Sequence, residues 1–221
     1  PDGTRLLVGH DDGSVSINVL PARAGELHMH LGGVIALAVD EGARQVVTVG
    51  TDRLVHWDLV TGARHGRQVW PAERARLLAV AAAPDVAIAR GADHSLEVWD
   101  LGLEHRRHQL LGHEQAVRAL ALSRDGRALI SVDGKVLRRW DLDSGECTDV
   151  WEELPEALQH TRELVLMPDG RHVILATHKG PLQVWDLERR ALIETLPDEI
   201  EAMRLSLDAA GRRLVALAHG K

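Results

Sequence analysis

The sequence predicts an all-β chain built from a repeated unit of four short antiparallel strands. Three observations predict it. The tripeptides Trp57-Asp58-Leu59, Trp99-Asp100-Leu101, Trp140-Asp141-Leu142 and Trp185-Asp186-Leu187 stand 42, 41 and 45 residues apart. Between them recur β-compatible runs set off by Gly, Asp and Ser turns. A leucine sits three residues before each of these tryptophans: Leu54, Leu96, Leu137 and Leu182. A self-similar period of about 40–45 residues ending in Trp-Asp marks a β-propeller blade.

The unit is clearest around Trp140. Gly112-His113 precedes an alternating run to Leu122, and Ser123-Arg124-Asp125-Gly126 turns the chain into Ala128–Val132. Asp133-Gly134 turns it into Val136–Asp141, and Asp143-Ser144-Gly145 leads to Glu146–Trp151. These are strands a, b, c and d. Strand a recurs at Val34–Val39, Arg76–Ala82, Val117–Leu122, Glu163–Met167 and Met203–Leu207. Strand b recurs at Arg5–Gly9, Gln45–Gly50, Val86–Arg90, Ala128–Val132, His172–Thr177 and Arg213–Ala218. Strand c recurs at Ser14–Val19, Leu54–Asp58, Leu96–Asp100, Val136–Asp141 and Leu182–Asp186. Side chains alternate faces along a strand, so the Leu and the residue before Trp share one face while Trp takes the other. Both faces are committed to packing, as a sheet between two neighbours requires.

The first unit lacks strand a, the last lacks c and d, and four units are complete. The expectation is one propeller domain or partial propeller over residues 1–221, taken as an excerpt of a larger ring. The alternative is that the terminal pieces combine into a fifth blade.

Composition narrows the function. The 221 residues are 45% hydrophobic and carry a net charge of −7, with arginines dispersed among acids. That pattern lacks the concentrated basic face of a nucleic-acid binder. No apolar run is long enough to cross a bilayer as a helix. A single cysteine, Cys147, rules out an internal disulfide and fits a reducing, cytoplasmic setting. Arginine outnumbers lysine 23 to 3, which suggests a bacterial source. Without Phe or Tyr, the core rests on aliphatic residues and Trp.

On these residues the chain resembles the WD-repeat β-propeller family, over essentially its full length. The resemblance implies a hydrogen-bond relay joining the Gly-His histidine, a strand b hydroxyl, the b–c turn aspartate and the Trp indole. Only the fourth unit matches throughout, with His113, Ser131, Asp133 and Trp140, although its turn is one residue longer than usual. The second unit has Thr48, Asp52 and Trp57 but Gly33 in place of histidine. The third keeps Asp93 and Trp99 with Ala89 at the hydroxyl position, and the fifth has Lys179 where aspartate is expected. The first has Asp12, with Asn18-Val19 replacing Trp-Asp.

Other chemistry finds no constellation. His28 and His30 share a face of one strand d, while His105 and His108 fall on opposite faces of another, and no third ligand follows at metal-site spacing. His10-Asp11-Asp12 is a polar b–c turn. No nucleophile elbow, phosphate loop or dinucleotide turn occurs, so no catalytic residue, metal or cofactor is expected. Trp70 and Trp151 lie outside the repeat signature, as partner anchors at the rim or as covers of their own blade's outer edge.

The resemblance implies a non-enzymatic scaffold for protein–protein interaction, the sensing or recruiting module of a larger signalling protein with a fused effector. Its variable face would be formed by the d–a and b–c loops. Asp52, Arg53, Trp70, Glu73, Arg74, Asp93, His94, Glu114, Lys135, His178 and Lys179 fall there, with His113 and His160 beside them. The alternative is a ligand or a reaction at a central channel. Against it, strand a reads Val34-Ile35-Ala36-Leu37-Ala38-Val39 and Leu77-Leu78-Ala79-Val80-Ala81-Ala82, apolar and small.

Overall fold

The computed structural model describes residues 5–9, 14–19, 22–28, 34–39, 45–50, 54–58, 61, 64–65, 77–81, 86–100, 105–177, 180–196, 202–207 and 211–218. They form two compact units: Pro1–Ala92 with Leu96–Arg107, and Asp93–Ser95 with His108–Lys221.

In the first unit, β1 (Arg5–Gly9), β2 (Ser14–Val19) and β3 (Ala22–His28) form a three-stranded sheet in that order. The second sheet runs β4 (Val34–Val39), β5 (Gln45–Gly50), β6 (Leu54–Asp58) and the short β7 (Arg64–His65). The third runs β8 (Leu77–Ala81), β9 (Val86–Arg90), β10 (Leu96–Asp100) and β11 (His105–Leu110). In the second unit, β12 (Ala119–Leu122), β13 (Ala128–Val132), β14 (Leu137–Asp141) and β15 (Cys147–Trp151) make the fourth sheet. The single-turn helix α1 (Glu156–Gln159) leads into β16 (Thr161–Leu166), β17 (His172–Thr177), β18 (Gln183–Asp186) and β19 (Ala191–Thr195), the fifth. A two-stranded sixth sheet pairs β20 (Ala202–Leu207) with β21 (Leu214–Ala218). Every pairing is antiparallel between chain neighbours, the meander that short Gly and Asp turns impose.

One register repeats. The signature Trp faces the second residue of strand b and its Asp faces the first: Trp57↔Val46, Trp99↔Ala87, Trp140↔Leu129 and Trp185↔Val173. In the first sheet Asn18 and Val19 take those places, opposite Leu6 and Arg5. A bulge falls just before this position between strands c and d of the first, fourth and fifth sheets. A second bulge recurs near the start of strand a in the second, third, fifth and sixth sheets. An extra residue of this kind sharpens local twist.

The core lies between sheets. Ile130, Val132, Leu137 and Trp151 of the fourth sheet meet Leu164, Leu166, Val173, Leu175, Trp185 and Leu187 of the fifth. Trp151 and Trp185 lie 5.9 Å apart, ring centre to ring centre. The opposite face of β17, carrying Ile174 and Ala176, packs with Leu182 and Leu205 toward the sixth sheet. Each such fully buried aliphatic side chain stabilises the stack by about 1.5–3 kcal/mol. Strand alternation thus fills both faces of β17, and the inner strands β12, β16 and β20 stand side by side.

Two expectations change here. Helix α1 occupies a connection read as loop: Glu-Ala-Leu-Gln are good helix formers, Pro155 presets the entry, and Leu158 anchors the turn in the core. Trp151 is only 6% exposed, so it seals the seam between sheets and offers no rim anchor. Trp70 lies outside the described residues.

Candidate interaction face

The signature Asp closes the c–d turn in the second, fourth and fifth repeats. Asp58 Oδ1 accepts the Thr61 N–H, and Asp141 Oδ1 accepts those of Asp143 and Ser144 at 3.0 and 2.8 Å. Asp186 Oδ1 accepts Glu188 and Arg189 N–H, both at 3.0 Å, while Oδ2 takes the Arg171 guanidinium. The Ser144 N–H and hydroxyl hold the Asp141 carboxyl below its usual range. The Arg171 guanidinium, followed by the two turn N–H groups, holds that of Asp186 far below it. Asp100 instead pairs with Arg107 along the sheet.

The fourth sheet gathers His113, Ser131, Asp133 and Trp140 into one buried chain. The Trp140 indole N–H donates to Ser131 Oγ at 2.8 Å. His113 Nε2 lies 2.7 Å from Ser131 Oγ, and His113 Nδ1 lies 2.9 Å from Asp133 Oδ2. Burial holds the His113 imidazole neutral, its pKa below the ordinary 6.5, against the pull of Asp133. Burial opposes the Asp133 charge too, but the Lys135 and Val136 N–H groups and His113 outweigh it, and its pKa is lowered. One assignment then satisfies every atom: indole to hydroxyl, hydroxyl to Nε2, Nδ1–H to carboxylate. Buried polar groups need such partners. The connectivity is that of a Ser-His-Asp nucleophile, but Ser131 is 0% exposed and its oxygen accepts the indole. No substrate atom can reach it.

Sequence reasoning missed the indole's substitute partners. In the third and fifth sheets the strand b position facing strand c is Ala89 or Leu175, and neither carries a hydroxyl. There the indole turns to the residue two before it: Trp99 to Glu97 Oε2 at 3.1 Å, Trp185 to Gln183 Oε1 at 2.9 Å. In the fourth sheet that place holds Arg138, which covers the Trp140 ring with its guanidinium 6.0 Å from the ring centre. In the second, Thr48 Oγ1 donates to the Val55 carbonyl at 3.5 Å, and the Trp57 indole finds no acceptor among the described residues. The series Val55, Glu97, Arg138, Gln183 was the available signal. Thr177, the hydroxyl of the fifth repeat's strand b, lies two residues beyond the register position, which Leu175 fills.

Of the expected loop face, Asp93, His94, Glu114 and Lys135 are described, and all are exposed, as is His160 beyond α1. Asp52, Arg53, Glu73, Arg74, His178 and Lys179 lie outside the described residues, as does His30. Lys135 sits in a turn pinned by buried Asp133, so the relay fixes where this cation projects. Asp93 and His94 hold φ of 51° and 62°, a left-handed pair without glycine. His94 stands close enough to His113 to oppose its protonation. Arg118, unforeseen, projects beside them: its guanidinium fills the space where a Gly134 side chain would be and donates to the Gln159 carbonyl at 3.1 Å. Among the described residues no three His, Cys, Asp or Glu side chains gather to hold a metal.

Repeated four-stranded antiparallel sheets in one register, packed face to face in the second unit and with a buried His-Ser-Asp-Trp relay in one of them, define a protein of β-propeller blades. Residues 105–141 match the family described as WD domain, G-beta repeat. Autophagy-related protein 16 of Arabidopsis thaliana is 26% identical across 87% of this chain and 38% of its own length. Transducin beta-like protein 3 of Bos taurus is 30% identical across 72% of this chain and 21% of its own. Small ribosomal subunit protein RACK1y of Oryza sativa subsp. japonica is 32% identical across 51% and 32%. These matches support a WD-repeat family for the chain, which spans well under half the length of each relative. All three relatives are eukaryotic and lend no support to a bacterial source.

Proposed function

We propose that the chain is a non-enzymatic scaffold that holds partner proteins on its b–c and d–a loops. The observation that carries this is the division of labour in the fourth repeat. Asp133 spends its carboxylate on the buried relay and the turn, while Lys135, two residues on, projects into solvent. A rigid scaffold with variable exposed loops suits recognition. The likeness to WD-repeat relatives supports the same reading. Within it we place the chain in the cytoplasm, as a sensing or recruiting module whose partners are proteins rather than nucleic acid or membrane, alongside a fused effector. The channel-ligand alternative has no observation in its favour among the described residues.

The test is proximity labelling with the wild-type chain and with a Lys135→Glu, Glu114→Lys, His94→Ala variant. Loss of a defined set of neighbours, with an unchanged melting temperature, is the expected result. An identical set would remove the loop face from consideration.

A further inference from the structure

We propose that β19, the outer strand of the fifth sheet, pairs edge to edge with β19 of a second copy of the chain. This goes beyond the scaffold reading and does not depend on the loop face. β19 is hydrogen-bonded to β18 on one side, and its other side is the outer edge of the sheet. Such an edge presents a row of N–H and C=O groups to any strand that reaches it, and polar side chains usually guard it. On the matching strands no aliphatic side chain is exposed: the exposed residues are His105, Arg106 and Gln109 on β11, and Cys147 and Thr148 on β15. β19 differs. Among the described residues four large hydrophobic side chains are exposed, and two of them adjoin here, Leu192 at 45% and Ile193 at 50%. Leu192 lies opposite Trp185 and Glu194 opposite Val184, so Ile193 is the bulged residue, with no opposite number on β18.

The order of charges selects the occupant. Arg189 and Arg190 precede the apolar pair and Glu194 follows it. Both arginines remain exposed, Arg190 with Asp149 at 3.1 Å and Arg189 with Asp186 at 3.8 Å. Glu188, ahead of them, is held by Arg171 at 3.2 Å. Glu194 has no side-chain hydrogen bond or ion pair among the described residues. A strand that runs basic, apolar, acidic is complementary to itself turned end for end. With a two-fold axis at Leu192, that leucine meets its own copy and Ala191 meets Ile193. Arg190, the turn residue just before the strand, then reaches Glu194 of the other copy, twice over. Arg189 falls against Thr195, and no like charges stand opposite one another. An interface of this kind uses the same patch on both copies and closes at two.

The test is sedimentation velocity on the chain across a concentration series. Two strands of 5 residues make a small interface, so the dimer is expected to be half-formed at roughly 10–100 μM. Ile193→Lys and Glu194→Arg change exposed side chains and should keep the wild-type melting temperature, yet each is expected to weaken the dimer by about tenfold or more. The double variant Arg189→Glu, Arg190→Glu should fail to dimerise likewise. Mixed in equal amounts with Glu194→Arg it should dimerise again, because opposite charges then face each other at both ends of the paired strands. Val215→Lys, at the exposed hydrophobic residue of the sixth sheet, should dimerise as the wild type does. A monomer at every concentration, assembly beyond two copies, a dimer that Ile193→Lys leaves intact or Val215→Lys abolishes, or a mixture that stays monomeric would overturn the proposal. Each of these failures leaves the loop-face experiment untouched.

Discussion

Ser131 Oγ serves two buried neighbours at once, accepting from the Trp140 indole and donating to His113 Nε2. Ser131→Ala orphans both, at an expected cost of about 2–4 kcal/mol in urea denaturation. Adding Arg138→Gln is expected to restore about 1 kcal/mol, because glutamine then stands beside Trp140 as Gln183 stands beside Trp185. No recovery would mean that the residue two before the Trp does not satisfy the indole. The relay also sets a pH response. His113 is neutral when folded, with its pKa lowered by burial from 6.5. As pH falls below 6.5, the unfolded chain takes up a proton that the native site refuses, so stability declines until the folded imidazole itself titrates. Between about pH 8 and about pH 5, the wild type should lose more stability than His113→Gln. Parallel curves would remove His113 as the cause. His113, Ser131, Asp133 and Trp140 were legible because the fourth repeat carries all four residue types that the WD-repeat resemblance implies for the relay. Glu97 and Gln183 were not, because their role depends on a residue absent from the neighbouring strand.

At the scale of elements, strands that alternate between two buried faces declare themselves. Ala128–Val132 and Leu96–Asp100 fall where their apolar alternation places them. The bulges do not, since they are matters of pairing between strands rather than of composition. Helix α1 escaped for a different reason: at four residues it has no period to detect. The turn between β9 and β10 carries its own prediction. Asp93 and His94 hold left-handed φ without glycine, a conformation in which a β-carbon is crowded. His94→Gly is expected to stabilise the chain by about 0.5–1 kcal/mol in a thermal melt. A destabilised variant would show that the imidazole's own contacts outweigh the backbone.

At the scale of the molecule, a sheet that packs on its neighbours is protected by them, so protection should follow how many faces are covered. Within the second unit, the fourth and fifth sheets share a large buried cluster, whereas the sixth has two strands and leaves Val215 66% exposed. Hydrogen exchange should therefore run about tenfold or more faster in peptides covering residues 202–218 than in those covering 128–141 and 172–187. Uniform protection would mean that the sixth sheet is held by something beyond its contacts with the fifth.

The two ways of satisfying the indole also constrain the order in which such repeats can drift. A repeat that first acquires Glu or Gln ahead of its Trp can then lose its strand b hydroxyl without ever stranding the ring nitrogen. The reverse order passes through an intermediate that carries an unmet donor. The third and fifth repeats, with Glu97 and Gln183, carry the upstream acceptor and no hydroxyl, while the fourth, holding Arg138, depends on its serine. Variant libraries built on this chain should show that asymmetry: hydroxyl loss tolerated beside an upstream acceptor and purged without one.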